Sequence, residues 1–253
     1  MRPQLIRGMT ISSIVADHSL KCHRFKYFKA ARQLLDIADC RDLISIQAVI
    51  YMILFLQSSA KLSQCYAYVG VALRSALRMG LHRSHRSFAK TFNPIEAETR
   101  KRVFWTVRKM DIYIGAMLGL PQTLSDEDID QDPPVEVDDE YITETGILPM
   151  PQGTTTLATA FNAHLQLVQL LTKIVRNVYP IRAKDSQSRK DKSYTVPFSV
   201  IREIEGDLEQ WKSNLPAGLE PCRDDNPKLT RYVLSLLIDT CSAAYLPQGA
   251  ATT

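Results

Sequence analysis

Glycine is scarce, with 10 in 253 residues, and few of them are clustered. There is no glycine-rich phosphate loop, no G-x-S-x-G elbow and no H-E-x-x-H pair, so the common signatures of nucleotide binding, acyl transfer and zinc hydrolysis are missing. Cysteine is also sparse. The five, at positions 22, 40, 65, 222 and 241, form no C-x-x-C pair, which argues against a disulfide framework and against a zinc site of local spacing. A reducing compartment is expected. Long apolar runs are absent too. The longest, AVIYMILFL from Ala48 to Leu56, is less than half of the roughly 20 residues a bilayer needs. The N-terminal stretch MRPQLIRGMTISSIVADHS has neither an apolar signal core nor a cleavage site, so a soluble intracellular chain is expected, with no membrane partner. Excess charge of one sign is lacking: 31 basic against 27 acidic side chains leave +4. That sum does not mark a nucleic-acid binder, and the distribution of charge has to decide.

What the chain does have is helical periodicity. Apolar spacing predicts helices at Lys21–Asp36, Leu43–Gln57, Leu62–Met79, Pro94–Leu118, Thr155–Val178, Pro197–Ser213 and Pro227–Leu246. Strand signals are few. The expected fold is all-α, an irregular multi-helix array of packed antiparallel helices with short early connections. Two segments interrupt it. Gly119–Gly153 is acidic and proline-rich, and RAKDSQSRKDKS (Arg182–Ser193) lacks large apolar residues and reads as a mobile linker. The division expected is a helical core over 1–180, a flexible linker over 181–196, and C-terminal helices of the same domain over 197–253, ending as if truncated.

The decisive stretch is ETRKRVFWTVRKMD, Glu98–Asp111, where cations flank a Phe-Trp pair. It is either a polynucleotide platform or a core helix with its charges turned outward. Asn93 is a good N-cap, Pro94 suits the first helical position, and Glu96 has capping-box spacing. Glu96 and Glu98 precede Arg100 and Arg102 by four residues, an order that favours helical ion pairs worth about 0.2–0.5 kcal/mol each. Val103, Val107, Met110, Ile114 and Met117 make one apolar stripe, widened by Phe104, while Trp105 and Ile112 fall on the opposite side. Two apolar faces imply a helix sandwiched between neighbours. A single-strand platform needs aromatics and cations on one exposed face, which this spacing does not provide.

Other candidates are weighed beside their blander readings. Asp126, Asp128, Asp130 and Asp132 alternate like the start of a calcium loop, but Gln131 and Val137 stand where glycine and glutamate are needed. Nine acidic and no basic residues lie between Asp126 and Glu140. They form either a solvated loop or an acidic lip for a basic surface such as Arg100–Arg102. His82 and His85 in GLHRSHR have a metal-compatible spacing without a third ligand. The expectation is that His82 bonds the last carbonyls of the preceding helix after Gly80. Arg74 sits among Ala67, Gly70, Val71 and Leu77 at helical spacing, and Asp111 borders the apolar stripe. Buried charges need partners, so Arg74 and Asp111 are expected to meet between helices, or else each reaches solvent separately. Asp111 is then expected to matter far more than Glu98. Gly70 and Ala72 are small enough to admit a close helix approach.

These residues in this order carry a resemblance. Gly70, Ala72, Arg74 and Ala76, then GLHR with Gly80, His82 and Arg83, then Pro94, Glu96, Glu98, Arg100–Arg102, Phe104-Trp105 and Asp111, are similar to the regulatory middle homology region of fungal binuclear zinc-cluster transcription factors. The match continues through LGLP with Gly119 and Pro121, and through DEDID ending at Asp130, to Pro133-Pro134. Fainter echoes are YFKAARQLLD (Tyr27–Asp36) and LEQWKSNLP (Leu208–Pro216). The resemblance implies an all-helical regulatory domain of a nuclear factor controlling RNA polymerase II transcription. It also implies protein partners, often dimerisation, and an activity modulated by metabolites or corepressors. It carries over no catalytic residue and no cofactor for this chain, since the family's zinc sits in a separate six-cysteine cluster that makes the DNA contact. Two departures stand out. Ile112 replaces a common arginine, and nothing upstream resembles the cluster, because Cys22 and Cys40 cannot supply six ligands. The chain is therefore expected to be a fragment, a shortened product, or a member without its DNA-binding module.

Three function classes remain at this point: a protein-interacting regulatory domain, which leads; a small-molecule sensor whose pocket would be lined by AVIYMILFL and Trp105; and an enzyme of unrecognised type, which would need a cleft joining His82 to an acid. Direct DNA binding by this chain is expected to be weak and salt-sensitive.

Overall fold

The computed structural model describes residues 25–84, 92–151, 156–178, 197–216 and 219. Within them the chain forms α1 (25–34), α2 (Leu43–Ser58), α3 (Leu62–Arg78), α4 (Pro94–Leu118), α5 (Leu157–Val178) and α6 (Phe198–Ser213), with short 3-10 turns between some of them. No sheet occurs among the described residues, only an isolated bridge between Ile142 and Ile147. The all-α array is as expected. The helix at Pro227–Leu246, the linker over 181–196, His85, and the cysteines at 22, 222 and 241 lie outside the described residues.

Helix ends follow local chemistry. Asp42 caps α2 by accepting from the Ser45 amide at 2.7 Å, and Asn93 caps α4 by accepting from the Glu96 amide at 2.7 Å, with Pro94 at the first position. Gly80 and Gly119 adopt left-handed φ of 69° and 66°. Each reversal lets the following amide return to a carbonyl of the last turn: Leu81 to Ala76 at 3.0 Å, Leu120 to Gly115 at 2.8 Å. Between α2 and α3 only Ser59–Lys61 intervene, so the two helices must run antiparallel.

Each helix packs on the next from α2 to α6, and α2 also reaches α4. The core takes Ile46, Val49, Ile50, Ile53 and Leu56 from α2, and Cys65, Val69, Ala72, Leu73 and Ala76 from α3. From α4 come Val103, Phe104, Val107, Met110 and Ile114, and from α5 Phe161 and Leu165. Helix α1 joins through rings: Phe28 stacks on Phe55 at 4.9 Å, and Phe25 meets Phe55 edge-on at 5.1 Å. At the other end α6 docks through Trp211, whose indole donates to the Ala163 carbonyl at 2.8 Å, and through Lys173 of α5, which pairs with Glu203 and Asp207.

Helix α4 is the central element. Its residues are buried almost without interruption from Arg102 to Ile112. The sandwich predicted from its two apolar faces is present, with one departure: Met117, the last member of the stripe, is 53% exposed.

Candidate functional site

The segment between α4 and α5 completes the sandwich. After Gly119 the chain turns back and runs along α4 in the opposite direction, as a strap. As strap positions rise from Thr123 through Asp126 and Asp132 to Val135, their partners on the helix fall from Asp111 through Arg108 and Trp105 to Glu98, and Asp139 then meets Arg102, one turn from Glu98. The strap has little regular structure, so its backbone polar groups need partners elsewhere. The charged residues of α4 provide them.

At the Gly119 end, Asp111 accepts from the Thr123 hydroxyl at 2.8 Å and the Thr123 amide at 3.2 Å. It also pairs with Arg108 on its own helix at 3.3 Å. Arg108 is 1% exposed. Its second terminal nitrogen reaches Asp126 of the strap at 3.0 Å. Gln122 extends this network to α5 by donating to Thr172 at 2.6 Å and accepting from Arg176 at 3.3 Å. In the middle, the Trp105 indole donates to the Asp132 carbonyl at 2.8 Å, and Phe104 packs edge-on against it at 5.3 Å. Farther along, Glu98 accepts from Arg102 at 3.2 Å and from the Val135 amide at 3.0 Å, and Arg102 also pairs with Asp139 at 2.5 Å. Asn162 of α5 ties the strap from the other side, donating to the Pro134 carbonyl at 2.9 Å and to Glu136 at 3.0 Å.

The strap also holds the end of α3. Gln131 donates to the carbonyls of Leu81 and Arg83 at 2.9 and 3.0 Å, and the Asp130 amide donates to the His82 carbonyl at 3.0 Å. The acidic lip therefore does meet the basic helix, through Arg102 and Arg108. Arg100 goes elsewhere. It donates to the Met79 carbonyl at 2.9 Å and lies over the Phe92 ring at 4.2 Å, and burial lowers its pKa.

Four sequence expectations are corrected here. Arg74 and Asp111 do not meet. Asp111 is bound by Arg108 and Thr123, while Arg74 is exposed on α3 and has no ion pair among the described residues. Its small neighbours resembled a core face because alanine and glycine fill helical spacing without marking burial. Glu98 is buried to 4%, so the expected contrast between a critical Asp111 and a dispensable Glu98 disappears. The side chain of His82 does not bond the α3 carbonyls. Its Nε2 accepts from Arg83 at 3.3 Å, burial and Arg83 lower its pKa, and it is Arg100 that donates to the carbonyl of Met79, the cap of α3, while Gln131 holds the turn beyond it. Gly70 is not a point of close helix approach. The atoms nearest to a Cβ there are those of the Arg74 guanidinium, from 3.4 Å, and belong to its own helix. Gly119 and Pro121 are exposed at the start of the strap, and Asp130 is exposed within it.

Sequence reasoning missed Arg108, Gln122, Thr123, Gln131 and Asn162. For Arg108 a signal existed, since Asp111 stands three residues on and such pairs face each other on a helix. AVIYMILFL and Trp105 do not line the cleft described below. Most of that run packs into the core, as does Trp105. Burial pushes the Cys65 thiol up to about 11, and burial with Lys109 nearby pushes His164 down to about 3. Lys109 itself lies over the Phe161 ring at 4.1 Å.

Comparison with known proteins decides the family. The model of the fungal specific transcription factor domain matches residues 9–213. The chain belongs to that family. Activator of stress genes protein 1 of Candida albicans is 43% identical over 215 residues, covering 81% of this chain and 22% of that protein. Activator of stress genes 1 of Saccharomyces cerevisiae is 44% identical over 215 residues, covering 83% of this chain and 21% of that protein. Transcriptional activator protein acu-15 of Neurospora crassa is 32% identical over 178 residues, covering 70% of this chain and 18% of that protein. The chain thus spans about a fifth of the length of these relatives. No solved structure matches it.

Proposed function

We propose that this chain regulates transcription by RNA polymerase II in the nucleus through contacts with other proteins, and reaches DNA only through a separate module. The observation that carries this reading is the fate of the cations on α4. Arg102 and Arg108 are consumed by strap carboxylates, and the Trp105 indole by a strap carbonyl. A polynucleotide groove needs those groups in solvent. The relatives' names describe transcriptional activators, and a helical array with exposed apolar residues such as Phe198 (67%) and Leu157 (51%) offers surface for a protein partner or a second copy. No catalytic role and no cofactor is proposed for this chain.

The test is to tether the chain to an unrelated DNA-binding module in a yeast reporter strain. A several-fold change in reporter output, lost in Asp111→Ala, is expected; unchanged output would refute the reading. In parallel, purified chain is expected to bind duplex DNA weakly and only at low salt, and tight site-specific binding in physiological salt would refute it.

A further inference from the structure

Arg74 belongs to the motif series that suggested the family, yet the strap and α4 make no use of it. It borders a cleft of about 290 Å³ lined by Ile37, Val71, Arg74, Ser75 and Arg78. Four of these five follow one another along a single face of α3, at spacings of three, one and three residues, and Ile37 closes the cleft from the 3-10 turn Ile37–Asp39. The two guanidiniums differ in how they are held. Arg78 is anchored, donating to the Cys40 carbonyl, which keeps its charge beside the cleft. The Arg74 guanidinium lies flat over Gly70 and has no carboxylate partner among the described residues. Three acids, Asp42, Asp36 and Asp39, lie close to Cys40 at the Arg78 end; Asp42 caps α2 and Asp39 pairs with Arg41, and Arg74 is a cation of the cleft that no ion pair among the described residues engages.

We propose that this cleft binds a small organic anion, a carboxylate or phosphate on a short apolar stem. Two guanidiniums one helical turn apart present forked donors to an oxyanion. Ser75 adds a hydroxyl at the floor, and Val71 and Ile37 provide an apolar wall for the stem. The volume stands at the lower limit of ligand pockets, which excludes large metabolites and selects compact ones. Gly70 has a part in this: with no side chain of its own, it leaves the surface on which the Arg74 guanidinium lies. This inference deepens the regulatory reading by naming an effector class, and it is the sensor hypothesis moved from the apolar core to a cationic cleft.

The test is titration calorimetry on the 253-residue chain with butyl phosphate, pentanoate, inorganic phosphate and butanol. Butyl phosphate or pentanoate is expected to bind more tightly than inorganic phosphate, and butanol not at all; the order of the first two tells which oxyanion the cleft prefers. Arg74→Gln is expected to weaken binding about tenfold or more, the loss of one charge-assisted bond, while its melting temperature stays at the parental value. Val71→Asp, which places a negative charge in the cleft, is expected to abolish binding, and Lys212→Gln on α6 to leave it unchanged. Absence of binding by either organic anion, or equal binding by Arg74→Gln, would overturn the proposal. Either result would leave the tethered-reporter test standing, because that assay reads protein contacts without added anion.

Discussion

Helices α4 and α6 are both charge-rich, and both carry a tryptophan. Their fates are opposite. In α4, Glu98, Arg100, Arg102, Arg108, Lys109 and Asp111 are all buried, whereas no residue of α6 is. The difference lies in what covers them. Helix α4 is flanked by α3 and α5 and closed by the strap, whose carboxylates take Arg102 and Arg108 and one of whose carbonyls takes the Trp105 indole. Among the described helices, α6 packs chiefly on α5. A charged helix is therefore a surface helix only when no complementary segment returns to it, and the cost of burying α4's charges is offset because almost every one has a hydrogen-bonded partner.

The largest break in this comparison should come from Asp111→Ala. It leaves the fully buried Arg108 with the outer Asp126 and a 3.5 Å contact to Gln122, and a loss of about 3–5 kcal/mol is expected from urea unfolding, against less than about 0.5 kcal/mol for Glu209→Ala on α6. Acid should act next. His164 is held neutral, with its folded pKa near 3 and an unfolded value near 6.5. Because the folded value is depressed, the unfolded chain binds the proton first. The contribution is complete above about pH 6.5 and is lost as pH falls toward 3, with a slope of roughly 1.4 kcal/mol per pH unit. His164→Leu should flatten that limb of a stability–pH profile, and an unchanged limb would remove His164 as its cause. Trp105→Phe removes the hydrogen bond to Asp132 and is expected to cost about 1–2 kcal/mol. With Trp211→Phe as background, the remaining Trp105 fluorescence should be blue-shifted and slow to quench with acrylamide; rapid quenching would mean the strap does not cover it. The smallest effect belongs to the strap's exposed rim. Asp139→Asn should cost less than about 1 kcal/mol, since Asp139 is 40% exposed, and a larger loss in melts would show that the Arg102 pair is worth more than its exposure suggests.

Much of the helical skeleton was legible in the sequence, because helix ends are set by a few local residues. Asn93-Pro94, Gly80 and Gly119 mark boundaries through capping and left-handed φ, and α4 begins and ends where they place it. Its two apolar faces were equally legible, since period 3.6 depends on spacing alone. What covers those faces was not. Strap contacts with α4 join residues 12 to 37 positions apart, and the strap has no periodicity to reveal which of its side chains point inward. Thus Asp111 was given the wrong arginine, Glu98 was taken for a surface charge, and the backbone carbonyl that the Trp105 indole meets was not foreseen. The Arg74 expectation failed for a different reason: Gly70 and Val71 are only half-buried, so the face they mark is the edge of the array.

Asp126 is more than half exposed, yet the guanidinium it holds has almost no contact with solvent. The molecule therefore carries a handle on its outside connected to its middle. Whatever pulls that one carboxylate away, such as a partner's lysine, acts on the joint where α4, the strap and α5 are tied, without having to enter the fold.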